Sequence, residues 1–175
     1  MVSNSIIFQL LILNFQFNNF SITNYFSIFN SQFLIYMGDP RAFLNIARQE
    51  AGYRPVSERI TDYSQVEQTL NTNSRKLQAS RCMDCGVPFC HWACPIGNKQ
   101  PEWQDALYKG KWKEAYEVLS STCDFPEFTG RICPALCEKS CVLKLSCDQP
   151  VTIRENEAAI VEAAFREGYI QVKTP

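Results

Sequence analysis

Apolar and polar residues recur at helical spacing along most of the chain from Met37 onward, which predicts an all-α protein. We expect a short helix around residues 41–50 and then an extended segment through Arg54 and Pro55, because proline disfavours helical geometry in the preceding residue. Residues 62–80 carry a partial apolar stripe and are expected to form a helix that runs into the first cysteine. No segment of the chain has a convincing strand pattern.

The region after the first cysteine run predicts further helices. Residues 100–122 are expected to form two short helices broken near Gly110, with Trp103, Trp112 and Tyr116 in a helix–helix core. Residues 123–134 are rich in Pro and Gly and predict a loop. Residues 152–169 predict a final helix, because Thr152 and Glu155 match a capping box and Gly168 is a suitable C-terminal stop.

The first 36 residues differ from the rest in composition. They contain no Lys, Arg, Asp, Glu, Gly, Pro or Cys, so all 17 basic and 18 acidic residues lie from Met37 onward. The segment lacks the basic start and cleavage site of a signal peptide, and Asn and Gln interrupt every run long enough for a membrane helix. We interpret residues 1–36 as a non-native leader from a misplaced start codon, with Met37 as the true start. A disordered tail is the second interpretation and a membrane anchor the third.

Nine cysteines are the main chemical feature of the chain. The segment RCMDCGVPFCHWACP has C-x2-C-x4-C-x3-C-P spacing, and CPALCEKSC adds three more cysteines. Bacterial ferredoxins bind 4Fe-4S clusters with C-x2-C-x2-C-x3-C-P, which shares the first spacing, the last spacing and the proline. Structural zinc prefers two separated pairs of ligands, and an odd cysteine count fits a disulfide framework poorly. The pattern favours iron–sulfur clusters over zinc, and zinc over disulfides.

Two 4Fe-4S clusters need eight ligands, and the two cysteine runs supply seven. Cys123 and Cys147 lie outside the runs and are interpreted as small, partly buried apolar residues. Glu157 falls on the apolar stripe of the last predicted helix, where a carboxylate is costly to bury unless it is paired or bound to metal. Periodicity alone favours the alternative, that Glu157 lies at the edge of the stripe and reaches solvent.

Other polar residues near the cysteines leave their roles open. His91, the single histidine, is expected to be partly exposed and is not predicted to be a ligand. The basic residues that flank the runs either offset the negative charge of bound clusters or are ordinary surface charges; they are Arg81, Arg131, Lys139 and Lys144. The formal net charge of −1 argues against nucleic acid as a main partner.

Three longer motifs, RCMDCGVPFCHWACPIGNKQPEW, FPEFTGRICPALCEKSCVL and PVTIRENE, resemble the N-terminal iron–sulfur domain of the small (beta) subunit of NADPH-dependent glutamate synthase. The N-terminal domain of dihydropyrimidine dehydrogenase is a more distant relative. The resemblance covers residues 37–175. It implies a helical ferredoxin-like domain with two 4Fe-4S clusters. It also implies an N-terminal helical extension over residues 37–80, a ferredoxin domain over 81–169, and, at 170–175, the start of a linker to a missing FAD- and NADPH-binding domain.

The resemblance also implies which residues bind the clusters. One cluster takes Cys82, Cys85, Cys90 and Cys141. The other takes Cys94, Cys133, Cys137 and a non-cysteine ligand from the last helix, which is Gln in dihydropyrimidine dehydrogenase and Glu157 here. It gives Cys123 and Cys147 no ligand role.

The function implied by the resemblance is electron transfer within an oxidoreductase. Electrons from NADPH and FAD pass through the clusters to a large (alpha) subunit that makes glutamate from 2-oxoglutarate and glutamine. We expect a cytoplasmic protein that binds no membrane and is inactive without the FAD and NADPH domain. The helical faces around Trp103–Leu119 are candidates for contact with the large subunit. The alternatives are the iron–sulfur domain of another flavin oxidoreductase, such as dihydropyrimidine dehydrogenase, or a zinc-stabilised interaction module.

Overall fold

A computed structural model of the chain describes Asp39 and residues 41–170. The predictions for residues 1–36 and 171–175 lie outside the described residues. The described part is helical, with ten helices and no strand. The helices are α1 (Ala42–Asn45), α2 (Val56–Arg59), α3 (Thr72–Ser80), α4 (Phe89–Ala93), α5 (Gln100–Tyr108), α6 (Trp112–Ser120), α7 (Pro126–Ile132), α8 (Leu136–Lys139), α9 (Val142–Cys147) and α10 (Ile153–Arg166). None of them is long and apolar enough to cross a bilayer.

The core forms where α5, α6 and α10 meet. Trp103 and Leu107 of α5, Leu119 of α6 and Ile160 of α10 are completely buried there. Trp112 and Tyr116 of α6 pack against this core from its edge. The predicted helix–helix core is therefore confirmed. The apolar face of Trp103–Leu119 is used inside the chain. Contact with a large subunit is therefore left to the outer faces of α5 and α6, and it stays a prediction.

The predicted break between α5 and α6 is confirmed at Gly110. Its φ of +76° lies in the left-handed region, which glycine adopts without steric cost. The amides of Gly110 and Lys111 bond back to the carbonyls of Leu107 and Ala106 and so satisfy the end of α5.

Several predicted boundaries are wrong. The helix expected over 62–80 begins only at Thr72, because Asn71 caps it through a 2.9 Å bond from the amide of Ser74. Upstream of that cap the chain is extended, and Tyr53 and Glu67 form an isolated antiparallel bridge. The helix expected over 41–50 is limited to α1, and α2 begins directly after Pro55.

The loop expected over 123–134 contains the helix α7. Pro126 lies in its first turn, where a missing amide hydrogen costs nothing. The last helix is confirmed as α10, followed by Gly168 at a φ of +71°. Its predicted capping box is absent, since Thr152 makes no side-chain cap. Glu155 instead accepts hydrogen bonds from the amide of Ala51 and the guanidinium of Arg75.

Candidate metal centre

Four cysteines from both runs line one small cavity. Cys82 and Cys85 follow α3, Cys90 lies in α4, and Cys141 immediately precedes α9. The opposite wall is apolar and is formed by α5, α9 and the start of α10, with side chains that include Pro101, Leu143, Val151 and Ile153. The packing of α4 against α8 brings the two runs together.

The thiols of this first set are half-buried and lie around the same cavity. Burial raises the pKa of the Cys82 thiol to about 12, with smaller contributions from the charges of Cys90, Cys141 and Cys85. Burial likewise raises the pKa of Cys90 to about 12, with added effects from Cys141 and Cys85. Metal ions bind the thiolate, so a metal that enters this cavity must displace the thiol protons.

A second set of donors lies between α4, α7, α8 and α10. Cys94 follows α4, Cys133 follows α7, and Cys137 lies in α8. Burial raises the pKa of the Cys137 thiol, and the charges of Glu138, Cys94 and Glu157 raise it further. The structure thus places Cys94, Cys137 and Glu157 near one another, while Cys133 lies in the connection between α7 and α8.

Glu157 is buried at 8% exposure on α10, so the solvent-reaching alternative is wrong. Burial raises the pKa of its carboxyl to about 7, and a hydrogen bond donated by the Thr129 hydroxyl acts in the opposite direction. A buried carboxylate with one hydroxyl partner has acceptor capacity left over. Its role as a metal ligand stays a prediction.

Cys123 is a neighbour of this second set that the sequence analysis did not identify. It is 3% exposed, and its Sγ lies 3.3 Å from the Oγ1 of Thr129. The charges of Glu157 and Cys94 also reach its thiol. Cysteine spacing could not have predicted that Cys123 lies near the second set, because Cys123 is outside both cysteine runs. The contact arises because α7 brings Thr129 next to it.

The flanking basic residues divide into two groups. Arg81 is 1% exposed and donates hydrogen bonds to the backbone carbonyls of Ile46, Gln149 and Pro150. Burial lowers the pKa of its guanidinium, and the thiols of Cys147 and Cys141 oppose that shift. Surface positions are found for the others: Arg131 pairs with Glu162, Lys144 pairs with Asp148, and Lys139 is exposed.

His91 is half-buried, and its Nδ1 lies 3.1 Å from the carbonyl oxygen of Asn98. Cys147 is exposed, so its interpretation as a partly buried apolar residue is wrong, and its thiol donates to the carbonyl of Leu143 within α9. Among the described residues, no three Cys, His, Asp or Glu side chains converge in the way that holds a single metal ion.

The donors fit an iron–sulfur group by their chemistry. Thiolates are the ligands that such clusters take, and an apolar wall limits solvent access. Two buried amide atoms at the first cavity also have no hydrogen-bond partner among the described residues, namely the Oε1 of Gln100 and the Nε2 of Gln104. Buried polar atoms normally have partners. The unpartnered donor of Gln104 is consistent with an electron-rich acceptor in the cavity, whereas the Oε1 of Gln100 is itself an acceptor and would need a donor.

Comparison with known proteins agrees with this chemistry. Residues 59–169 match the family described as dihydropyrimidine dehydrogenase domain II, 4Fe-4S cluster. The chain belongs to this family of iron–sulfur domains.

The chain is also similar to glutamate synthase subunits. It is 47% identical over 140 residues to the glutamate synthase [NADPH] small chain of Mycobacterium tuberculosis and 43% identical over 148 residues to that of Bacillus subtilis; each match covers 79% of this chain. It is 42% identical over 137 residues, or 77% of its length, to the glutamate synthase [NADH] of Schizosaccharomyces pombe. The matches cover 28%, 30% and 6% of these relatives, so the chain spans less than a third of each.

Proposed function

We propose that this chain is the electron-transfer domain of a glutamate synthase small subunit. In this proposal it binds two 4Fe-4S clusters and connects an FAD- and NADPH-binding domain with the large subunit, where glutamate is made from 2-oxoglutarate and glutamine. When bound, such clusters accept and release single electrons. Residues 37–80 are the proposed extension, 81–169 the proposed cluster domain, and 170–175 the proposed start of a linker.

The observation that carries the proposal is the convergence of Cys82, Cys85 and Cys90 with Cys141 at one apolar cavity. We assign one cluster to these four thiols and the second to Cys94, Cys133, Cys137 and Glu157. The apolar wall limits water at the thiolates, which disfavours an added negative charge in the site. Arg81 contributes a positive charge beside Cys141, which favours it. These two opposing effects would help to set the reduction potential of the cluster.

The first test is the metal content of the full chain purified without oxygen. About eight irons and eight acid-labile sulfides per chain, with an EPR signal that appears on reduction, are expected for two cubane clusters. Stoichiometric zinc without sulfide would contradict the proposal and support a structural module instead.

A second test concerns the ligand role of Glu157. Glu157→Ala is expected to lose one cluster, so that iron and sulfide fall to about four each per chain. Glu157→Gln keeps an oxygen donor and is expected to retain both clusters. Glu162→Ala is the matched control, because Glu162 lies on the same helix but is exposed and pairs with Arg131.

Full iron content in Glu157→Ala has two explanations that a double variant separates. If Cys123 replaces the lost ligand, the Glu157→Ala, Cys123→Ser double variant loses the cluster. If the double variant also keeps eight irons, Glu157 is not a ligand.

A further inference from the structure

Gln104 has an unused hydrogen-bond donor at the first cysteine cavity. Its side chain lies on α5, is 1% exposed, and lines the cavity together with Cys82, Cys90 and Cys141. Its Nε2 is completely buried and has no hydrogen-bond partner among the described residues. A buried amide N–H without an acceptor destabilises the fold, so a group that accepts from it would remove that cost.

The orientation of the Gln104 amide follows from its neighbours. Arg75 is donor-only, and its Nη1 lies 3.0 Å from one side-chain atom of Asn156, which must therefore be the acceptor Oδ1. The Nδ2 of Asn156 then faces Gln104, at 2.8 Å from the Oε1 that accepts its hydrogen bond. The Gln104 amide cannot be reversed without setting two donors against each other.

This arrangement leaves the Gln104 Nε2 without a partner among the described residues, on a side chain that lines the cavity. Asn156 does not line the cavity, whereas Gln104 does. The atom of Gln104 that faces Asn156 is the acceptor, so the donor is the end of the amide that Asn156 does not use. The pair Arg75 and Asn156 is itself fixed, since Arg75 is 1% exposed and also pairs with Glu155 at 3.2 Å.

We infer that the Nε2 of Gln104 donates a hydrogen bond to a sulfur atom of the cluster held by Cys82, Cys85, Cys90 and Cys141. This inference rests on the proposed function, because it requires a cluster in the cavity. Sulfur carries more negative charge in the reduced cluster, so an N–H···S bond stabilises the reduced form more than the oxidised form. Hydrogen bonds to the sulfurs are among the features that set the potentials of such clusters.

Arg75 and Asn156 act in this scheme as positioning residues. Neither lines the cavity, and together they determine which end of the Gln104 amide is bonded to Asn156. Gln104 is thus expected to tune one cluster and to leave the second, held between α4, α7, α8 and α10, unchanged.

The experiment compares variants of the full chain, purified without oxygen and first analysed for iron and sulfide. Gln104→Met keeps the side-chain length and removes the donor. Asn156→Asp places an acceptor-only carboxylate beside Gln104, which turns the amide so that its oxygen faces the cavity. Gln78→Met is the control, because Gln78 is equally buried but bonds to the backbone of Ala47 and Gln49, away from the cavity.

Two readouts are used, the midpoint potentials from protein-film voltammetry and the Fe–S stretching bands in resonance Raman spectra recorded in H2O and D2O. In Gln104→Met one of the two midpoints is expected to fall and the other to stay, with loss of part of the D2O shift of the bands. Asn156→Asp is expected to lose the same D2O-sensitive component, which its added charge cannot mimic. Gln78→Met is expected to match the wild type in both readouts.

The outcomes distinguish failure of the proposed function from failure of the Gln104 inference. A wild-type chain without iron and sulfide overturns the proposed function. A loaded wild type whose potentials and D2O shift survive in Gln104→Met overturns this inference alone. If Gln104→Met does not load clusters, the D2O comparison in Asn156→Asp decides the question, and an unchanged shift there overturns it.

Discussion

At the scale of single residues, Gly130 determines how closely α7 can approach α10. A Cβ added to Gly130 would lie 2.8 Å from the backbone nitrogen of Ala158 and 2.9 Å from its Cα. These are backbone atoms, so they cannot rotate away as a flexible side chain would. The neighbouring Thr129 reaches Glu157 because the helices are this close.

Gly130→Ala is therefore expected to destabilise the protein by about 1–3 kcal/mol, as overpacking does, despite the better helix propensity of alanine. The change in the midpoint of denaturant unfolding of the anaerobic protein measures it. Gly86→Ala is the control, because a Cβ at Gly86 meets no atom within 4 Å and the residue has no positive φ. Equal stability of the two variants would show that α7 can shift away from α10 at no cost.

At the scale of elements, the segment after α1 is bound to the cysteine region by two arginines. Arg81, directly before Cys82, donates to the carbonyls of Ile46, Gln149 and Pro150 at 2.7–3.0 Å. Arg48 donates to Pro150 as well and pairs with Glu138 at 2.7 Å. The extension and the chain before α10 are thus held by charged donors rather than by a shared helix face.

Arg81→Met is expected to loosen the extension, because it removes the donor from the carbonyls of Ile46 and Gln149. Each carbonyl that stays buried without a donor is expected to destabilise the fold by about 1–3 kcal/mol. Limited proteolysis within residues 42–51, followed by mass spectrometry, should show faster cleavage there. Arg54→Met is the comparison, since Arg54 pairs with Asp62 at the surface, where ion pairs contribute little. Wild-type cleavage rates in Arg81→Met would mean that other contacts hold the extension.

At the scale of the whole described chain, two kinds of packing are combined. The apolar core of α5, α6 and α10 consists of buried apolar side chains such as Trp103, Leu119 and Ile160. The short helices α4, α8 and α9 instead lie around cysteines, and several of their apolar side chains, such as Phe89, Trp92 and Leu145, are exposed. The core is therefore expected to keep its fold when the cysteines lose their metal, whereas the short helices depend on it.

Removal of iron by a chelator under reducing conditions should consequently destabilise only the part of the molecule around the cysteines. Hydrogen exchange is expected to become faster over residues 85–96 and 133–147, while amides around Trp103, Leu119 and Ile160 keep their protection, because local stability follows buried contacts. The untreated holoprotein is the reference. Uniform loss of protection would show that the core also requires the metal.

The helical class, the core positions and the metal-binding character of the cysteine runs could be predicted from the sequence. These properties depend on local spacing: a 3.6-residue period places Trp103, Leu107 and Ile160 on buried faces, and closely spaced thiols favour metal. The ends of the helices were harder to predict from the sequence. Whether Asn71 caps a helix and Pro126 starts one depends on the packing of the folded chain. The extended pairing of Tyr53 with Glu67 overrode the N-terminal part of the helical stripe predicted over residues 62–80.

The sequence by itself determined which residues supply thiols and which supply the core. Only the tertiary structure decided what those residues meet: the burial of Glu157 beside Thr129, the place of Cys123 next to them, and the direction of the Gln104 amide. The physical reason is that periodicity records whether a face is buried and says nothing about the opposite surface. Hydrogen-bond direction depends on partners such as Arg75 and Asn156, which lie on different helices and meet only when the chain has folded.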